Sequence, residues 1–146
     1  MTPPEGQTGT VVFIDGASRG NPGPAAVGIV FQGKKGKNLK KISLAIGHAT
    51  NNVAETYALI FALQEAIMLK EESLQVFTDS ELIAKQFSGE YKIRDASLKA
   101  LSLLVNHLKQ GFKHLSVSHV PREKNKLADA AANEALDKDY DFLQTG

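Results

Sequence analysis

The sequence contains no cysteine among its 146 residues. Disulfides, thiolate-bound zinc, iron–sulfur clusters and cysteine nucleophiles are therefore excluded, and the chain suits a reducing compartment. No apolar run approaches the ~20 residues of a membrane span, and residues 1–10 lack the basic and apolar regions of a secretory signal. These absences predict a cytoplasmic protein that does not bind a membrane.

An excess of charge of either sign is also missing. Lys and Arg number 17 against 16 Asp and Glu, so the formal net charge of +1 does not by itself predict a nucleic-acid partner. The charge is unevenly placed, because five lysines fall within eight residues: Lys34, Lys35, Lys37, Lys40 and Lys41. This lysine cluster fits either a phosphate-binding patch or the solvated tip of a hairpin.

The length predicts one folded domain, and the 42% apolar content can fill its core. We expect a flexible N-terminal tail over residues 1–9, a domain over 10–138 and a C-terminal tail over 139–146, and we expect a monomer. Hydrophobic patterning predicts strands at 11–14, 26–31, 40–46, 74–78 and 115–119, and helices at 52–69, 80–87, 96–109 and 124–136. The order βββαβααβα predicts an α/β fold: three antiparallel strands, then two parallel additions to one mixed sheet, with helices on both faces.

Two aspartates end apolar strands of this sheet. Asp15 follows the first strand and Asp79 the fourth, and parallel neighbours would bring both carboxylates to one edge. Each also has a simpler interpretation, since Asp15-Gly16 is typical of a turn and Asp79 of a helix N-cap.

Glu55 does not fit a solvated helix face. The residues three, four and seven positions later are Ala58, Leu59 and Ala62, an apolar stripe. A carboxylate there needs a cation or hydrogen bonds, because desolvating it alone is costly. Its place near the start of a helix, where the dipole favours negative charge, is the alternative explanation.

Asp129 and His119 are two further polar residues that stand next to apolar sequence. Asp129 precedes three alanines in the last helix, and His119 ends the fifth strand. The alternatives are an ordinary surface acid and a structural histidine. If the carboxylates converge, however, they repel one another unless divalent cations are present. All-oxygen ligands favour Mg²⁺ or Mn²⁺, and two such ions can activate water and stabilise a leaving oxygen in phosphodiester hydrolysis.

Four blocks of the sequence resemble the type 1 ribonuclease H family, in the family's order and over most of the chain. The blocks are Phe13-Ile14-Asp15-Gly16-Ala17-Ser18-Arg19-Gly20-Asn21-Pro22-Gly23-Pro24, Thr50-Asn51-Asn52-Val53-Ala54-Glu55, Thr78-Asp79-Ser80 and His119-Val120-Pro121-Arg122-Glu123-Lys124-Asn125-Lys126-Leu127-Ala128-Asp129. The resemblance implies a ribonuclease H-like fold and hydrolysis of the RNA strand of an RNA–DNA hybrid, without sequence preference, leaving 5′-phosphate and 3′-hydroxyl ends. It also implies two Mg²⁺ ions, with Mn²⁺ as a possible substitute.

The resemblance assigns roles to individual residues. The metal ligands would be Asp15, Glu55, Asp79 and Asp129, all counted as catalytic, and His119 would act on a mobile loop in proton relay or product release. The substrate-binding residues would be Gly20, Asn21, Asn52 and Asn125, with Glu55 also beside the RNA strand, and Thr50 and Asn51 beside the DNA strand.

Two departures from the family pattern stand out. The basic, tryptophan-rich protrusion of many members is absent, so the chain resembles the protrusion-less branch, and Lys92 and Arg94 become candidate phosphate contacts. Glu81 stands where many relatives have a glutamine that contacts RNA. Two other functions compete: a DNA-directed nuclease or strand-transfer enzyme on the same fold, and a catalytically silent hybrid-binding module.

Overall fold

The computed structural model describes residues 9–33, 36–89 and 93–145, with side chains up to residue 138. Two of the predicted phosphate-binding positions, Lys34 and Lys35, and the predicted contact Lys92 lie outside these ranges. The described elements are β1 (Thr10–Ser18), β2 (Gly23–Gln32), β3 (Asn38–Ala49), α1 (Asn51–Met68), β4 (Ser73–Thr78), α2 (Glu81–Phe87), α3 (Ala96–Lys109), β5 (His114–His119), a short 3₁₀ helix (Arg122–Lys124) and α4 (Lys126–Thr145).

The five strands form one mixed sheet in the order β3-β2-β1-β4-β5. The pairs β1–β2 and β2–β3 are antiparallel, whereas β1–β4 and β4–β5 are parallel. The predicted order of elements and the parallel pairing of the first and fourth strands are confirmed.

Alternation along β1 divides the sheet into two faces. Val12 and Ile14 point into the main core, which α1 and α3 cover, whereas Ala17 packs on the opposite face against Ala135 and Leu136 of α4. Residues two apart share a face of a strand, so Asp15 lies on the α4 face together with Ala17.

The element boundaries differ from the predicted ones in two places that affect the cleft. β1 continues to Ser18, because it stays paired with β2 beyond the point where its pairing with β4 stops at Ile14. The last helix begins at Lys126, not at residue 124, and ends at Thr145, nine residues beyond the predicted end at 136. It therefore includes residues 139–145 of the segment expected to be a tail.

Among the described residues, no helix combines the length and the apolar character that crossing a membrane requires.

Candidate active site

Asp15 and Asp79 occupy equivalent positions at the carboxyl edge of two parallel strands. The last paired residues of β1 and β4 are Ile14 and Thr78, and each aspartate comes one position later. The simpler interpretations do not hold: Asp15 lies within β1 and not in a turn, and the N-cap of α2 is Ser80, whose Oγ accepts from the backbone N–H of Ile83 at 3.2 Å.

Glu55 reaches the same place from the second turn of α1. Oxygen atoms of Asp15, Glu55 and Asp79 all lie within 4.8 Å of one another. No acidic residue stands in the first turn of α1, where the dipole acts most strongly, so the dipole does not account for Glu55. The three acids form a compact cluster, which we call the acidic triad.

Gly16 allows α1 to come this close to the sheet. A Cβ atom on Gly16 would lie only 2.2 Å from the carbonyl carbon of Ala54 and 2.3 Å from the backbone nitrogen of Glu55. The backbone of Gly16 also hydrogen-bonds the carboxyl group of Glu55. The residue after Asp15 must therefore be glycine for Glu55 to stand beside Asp15.

The triad is strongly perturbed by burial and mutual repulsion. Asp15 and Glu55 are each 5% exposed. Burial, with added repulsion from Asp79 and Asp129, raises the pKa of Asp15 to about 7. Burial and the charge of Asp15 raise the pKa of Glu55 well above its usual value. The two carboxyl groups also share a hydrogen bond, which raises the pKa of Glu55 further and lowers that of Asp15.

The cluster fits a divalent cation. Within the part of the chain that the structure describes, the buried Oε2 of Glu55 has no hydrogen-bond partner. A buried acceptor without a partner costs free energy, and a cation would both satisfy it and offset the repulsion that raises these pKa values. The donor set is entirely oxygen, which suits Mg²⁺ or Mn²⁺.

Asp129 stands beside the triad on the first turn of α4. Its charge and a hydrogen bond with it contribute to the raised pKa of Asp15. Its Oδ1 lies 3.8 Å from the guanidinium of Arg122 and 3.4 Å from Nδ2 of Asn133, and its side chain is 33% exposed. Asp129 is thus a neighbour of the triad and not a fourth member of it.

Gly28 allows α4 to approach the sheet closely, just as Gly16 allows the close approach of α1. Gly28 is the partner of Asp15 in the β1–β2 ladder, and a Cβ atom there would lie 2.0 Å from the backbone oxygen of Ala128. The buried alanines of α4 make the same close approach possible, as the alanine-rich sequence predicts. The sheet therefore holds one acid-bearing helix on each face.

All four acids line one open cleft of about 460 Å³. Its other lining residues are Gly16, Ala17, Ser18, Arg19, Asn51, Ser80, Arg122, Asn133 and Leu136. Arg122 and Asn133 were not predicted as site residues. The sequence contains a signal for Asn133, which stands four positions after Asp129 and therefore on the same helix face. The approach of Arg122 depends on the 3₁₀ helix Arg122–Lys124, which no pattern in the sequence predicted.

His119 lies at the same edge of the sheet. It is the last residue of β5, paired with Thr78, and it is exposed. The predicted strand ending at His119 is confirmed, and the structure does not place His119 on the loop that the family resemblance implies. A hydrogen bond and the charge of Lys85 lower the pKa of Glu81, and the charge of His119 adds a small contribution, which places His119 near Glu81.

The residues expected along the two nucleic-acid strands gather at the start of α1. Oδ1 of Asn21 accepts from the backbone N–H of Asn51 at 2.9 Å, and Thr50 caps the helix by accepting from the N–H of Val53 at 3.2 Å. The hydroxyl of Thr50 can still donate a hydrogen bond while it accepts this one. Asn51 and Asn52 are exposed, so both remain accessible.

Two lysines of the cluster have structural partners. Lys40 forms an ion pair with the buried Glu65 of α1, and Lys41 pairs with Glu134 of α4 at 2.9 Å. These pairs tie the edge strand β3 to a helix on each face of the sheet. They argue against the phosphate-binding interpretation for Lys40 and Lys41, which lie in β3 and not at a solvated hairpin tip. Arg94, the other candidate phosphate contact among the described residues, is exposed.

Asn125 differs most from its expected role as a substrate contact. It is 1% exposed, and its Nδ2 donates to the backbone oxygen of Ile14 at 2.9 Å. A side chain this buried offers no surface to a nucleic acid.

The architecture is the ribonuclease H-like fold. Comparisons with known proteins identify the family within this fold. A family model described as reverse transcriptase-like matches residues 13–135. The crystal structure of RNase H1 from Halobacterium salinarum superposes with a TM-score of 0.86 at 43% identity, covering 88% of this chain and 98% of that one. The chain belongs to the type 1 ribonuclease H family.

Two further similarities are informative. LC11-RNase H1, isolated from compost and solved in complex with an RNA/DNA hybrid, is 41% identical, with a TM-score of 0.86 over 90% of this chain and 99% of that one. The bifunctional protein Rv2228c of Mycobacterium tuberculosis is 40% identical over 87% of this chain. The chain spans 35% of that relative's length and 63% of the curated Halobacterium ribonuclease HI, to which it is 45% identical.

Proposed function

We propose that this protein is an endoribonuclease that hydrolyses the RNA strand of RNA–DNA hybrids without sequence preference, leaving 5′-phosphate and 3′-hydroxyl ends. The observation that carries the proposal is the acidic triad at the edge of a ribonuclease H-like sheet, with Asp15 and Glu55 too buried to be stable as bare anions. The similarity to LC11-RNase H1, whose structure contains an RNA/DNA hybrid, supports the substrate class.

Asp15, Glu55, Asp79 and Asp129 are the residues that would hold two divalent cations, preferentially Mg²⁺. When bound, such ions activate the attacking water and stabilise the leaving oxygen of a phosphodiester. Asp15 would help to hold both ions, because oxygen atoms of Glu55 and Asp79 lie within 4.8 Å of it and the charge of Asp129 contributes to its raised pKa.

The protein's own groups prepare this site. The Gly16 backbone hydrogen-bonds the carboxyl group of Glu55, and Nδ2 of Asn133 donates to the carboxylate Oδ1 of Asp129 at 3.4 Å. These contacts fix the directions of two carboxylates before a cation or a substrate arrives. Preorganised ligands of this kind lower the reorganisation required for the reaction.

Substrate selection would rely on sugar and phosphate contacts, because those tolerate any base sequence. Asn21, Asn52 and the backbone around Gly20 would lie along the RNA strand, and Thr50 and Asn51 along the DNA strand. The hydrogen bond between Asn21 and Asn51 joins the two sets, so one rigid unit would read both strands.

His119 would relay protons or assist product release from the edge of the cleft. An imidazole titrates near neutrality and can both accept and donate a proton there. Its exposed position at the end of β5 leaves it accessible to a bound substrate.

A substrate panel tests the proposal against its two rivals. Labelled RNA–DNA hybrid, double-stranded RNA and duplex DNA are each incubated with and without Mg²⁺. We expect cleavage of the hybrid's RNA strand only with the metal. Cleavage of duplex DNA would support the DNA-directed alternative, and hybrid binding without any cleavage would support the silent module. The cytoplasmic location and the monomeric state stay predictions, which fractionation and light scattering can check.

A further inference from the structure

Asn125 occupies a position where a polar side chain is hard to explain by folding alone. It is 1% exposed, and its Oδ1 has no hydrogen-bond partner among the described residues. A buried, unpartnered acceptor is unfavourable and calls for a specific explanation. An apolar side chain of similar size would avoid this cost, so the amide must contribute through the bond that it does make.

That bond joins two acid-bearing segments that are far apart in sequence. Nδ2 of Asn125 donates to the backbone oxygen of Ile14 at 2.9 Å, across a separation of 111 residues. Ile14 immediately precedes Asp15. The backbone oxygen of Asn125 in turn accepts the N–H of Asp129 at 3.1 Å, in the first turn of α4.

The result is a short path of two hydrogen bonds that connects the residue before Asp15 with Asp129. We infer that Asn125 is a positioning residue that sets the distance between these two carboxylates, and thereby the affinity of the cleft for divalent cations. It acts through the backbone on each side and does not touch the substrate. This inference rests on the proposed function, because it concerns the same metal-binding acids.

The hydrogen bond of Asn125 also fixes the axial position of α4 on the sheet. Gly28 and the alanines let α4 approach the sheet closely, but small residues alone do not select one axial position of a helix. A directional hydrogen bond to a fixed carbonyl does select one. Outer residues that orient ligands in this way typically change metal affinity or activity by about 10–100-fold when removed.

The test uses the full chain and measures metal binding directly. We expect Asn125→Ala to weaken Mn²⁺ binding at least about 10-fold in isothermal titration calorimetry without substrate, well below the unfolding temperature. The matched control is Val105→Ala, a truncation of a residue of α3 that is buried in the main core and does not line the cleft. The control should lower the unfolding temperature and leave Mn²⁺ affinity unchanged.

The possible outcomes separate the alternatives. Unchanged Mn²⁺ affinity in Asn125→Ala, with a lower unfolding temperature alone, would overturn the inference in favour of a merely structural role. Unchanged affinity with a higher KM for hybrid would overturn it in favour of a substrate contact. If Asn125→Ala does not fold, Asn125→Ser is measured in the same way with the same expectation. A wild-type protein that binds Mn²⁺ but does not cleave hybrid contradicts the proposed function and leaves the inference on Asn125 standing.

Discussion

Asp15 and Glu55 are each 5% exposed, whereas Asp79 and Asp129, across the same cleft, are both partly open to solvent. We call Asp15 and Glu55 the buried half of the cleft and Asp79 and Asp129 the open half. The pKa values of Asp15 and Glu55 are raised chiefly by burial, and Oε2 of Glu55 has no hydrogen-bond partner in the described part of the chain. In the open half, Asp129 has polar neighbours in Arg122 and Asn133. The requirement for a cation is therefore concentrated at Asp15 and Glu55, whereas the carboxylates of the open half face solvent.

The largest expected effect follows from removing a carboxylate from either half. Asp15→Asn or Asp79→Asn should lower turnover of hybrid about a thousand-fold or more, since several kcal/mol of transition-state stabilisation depend on the bound ions. The two halves should differ in stability. Asp15→Asn should raise the urea midpoint of the metal-free protein, because it removes a buried repulsive charge.

For Asp79→Asn we expect a smaller gain in the urea midpoint, because this side chain is partly exposed. A strongly destabilised Asp79→Asn would contradict the assignment of the α2 cap to Ser80. Equal gains from both substitutions would remove the distinction between the halves.

Substitution of Gly16 and Gly28 tests the close approach of the two helices that carry Glu55 and Asp129. Gly16→Ala and Gly28→Ala should each destabilise the protein by about 3 kcal/mol, because the new methyl groups would overlap helix backbone that cannot easily move. Gly47→Ala is the control. It has φ +89 but nothing within 4 Å of a Cβ atom, so only backbone strain of about 1 kcal/mol is expected. Urea unfolding measures all three, and a Gly16→Ala cost no larger than that of Gly47→Ala would contradict the close approach of α1.

The buried half also predicts how stability depends on pH. Asp15 has a pKa of 3.8 in the unfolded chain and about 7 in the folded protein. A raised carboxyl pKa contributes stability that is complete below the unfolded value and is lost as the pH rises through the folded value. The metal-free protein should therefore lose stability between about pH 4 and 7, on the order of 4 kcal/mol for a shift of this size.

Asp15→Asn should flatten this pH dependence, and saturating Mg²⁺ should reverse it, since the metal binds the deprotonated acids and releases protons. Thermal unfolding from pH 4 to 8, with and without Mg²⁺, measures both. Stability that rises over this range without metal would contradict the burial of Asp15.

His119 is not among the residues that line the cleft, and its replacement should lower turnover less than replacement of any triad acid. His119→Ala should slow turnover about 10–100-fold without abolishing it, as expected for a group that assists proton transfer. Steady-state turnover of the hybrid at saturating Mg²⁺ measures the effect. Complete loss of activity would mean that His119 is more central than its exposed position suggests.

Sequence patterning predicted the order of elements and the meeting of Asp15 and Asp79, because both follow from strand periodicity and parallel pairing. The continuation of β1 past Asp15 was not predictable, because it depends on pairing with β2 that the glycine- and proline-rich turn obscured. The burial of Asn125 was also missed. Its amide reaches a carbonyl 111 residues away, and no local pattern encodes such a contact.

The smallest effect is expected outside the cleft, at the lysine cluster. Lys40 and Lys41 already pair with Glu65 and Glu134, and the hairpin interpretation predicts that the remaining lysines are merely solvated. Lys34, Lys35 and Lys37 replaced together by Ala should therefore leave the salt dependence of hybrid binding unchanged. Arg94→Ala is the comparison and should reduce the slope of log K against log salt by about 1, the value for one phosphate contact. Fluorescence anisotropy over a salt series, in Ca²⁺ or without metal to prevent cleavage, distinguishes the two variants. A slope lowered by the triple substitution would bring the hairpin into the interface and extend the nucleic-acid surface to the far edge of the sheet.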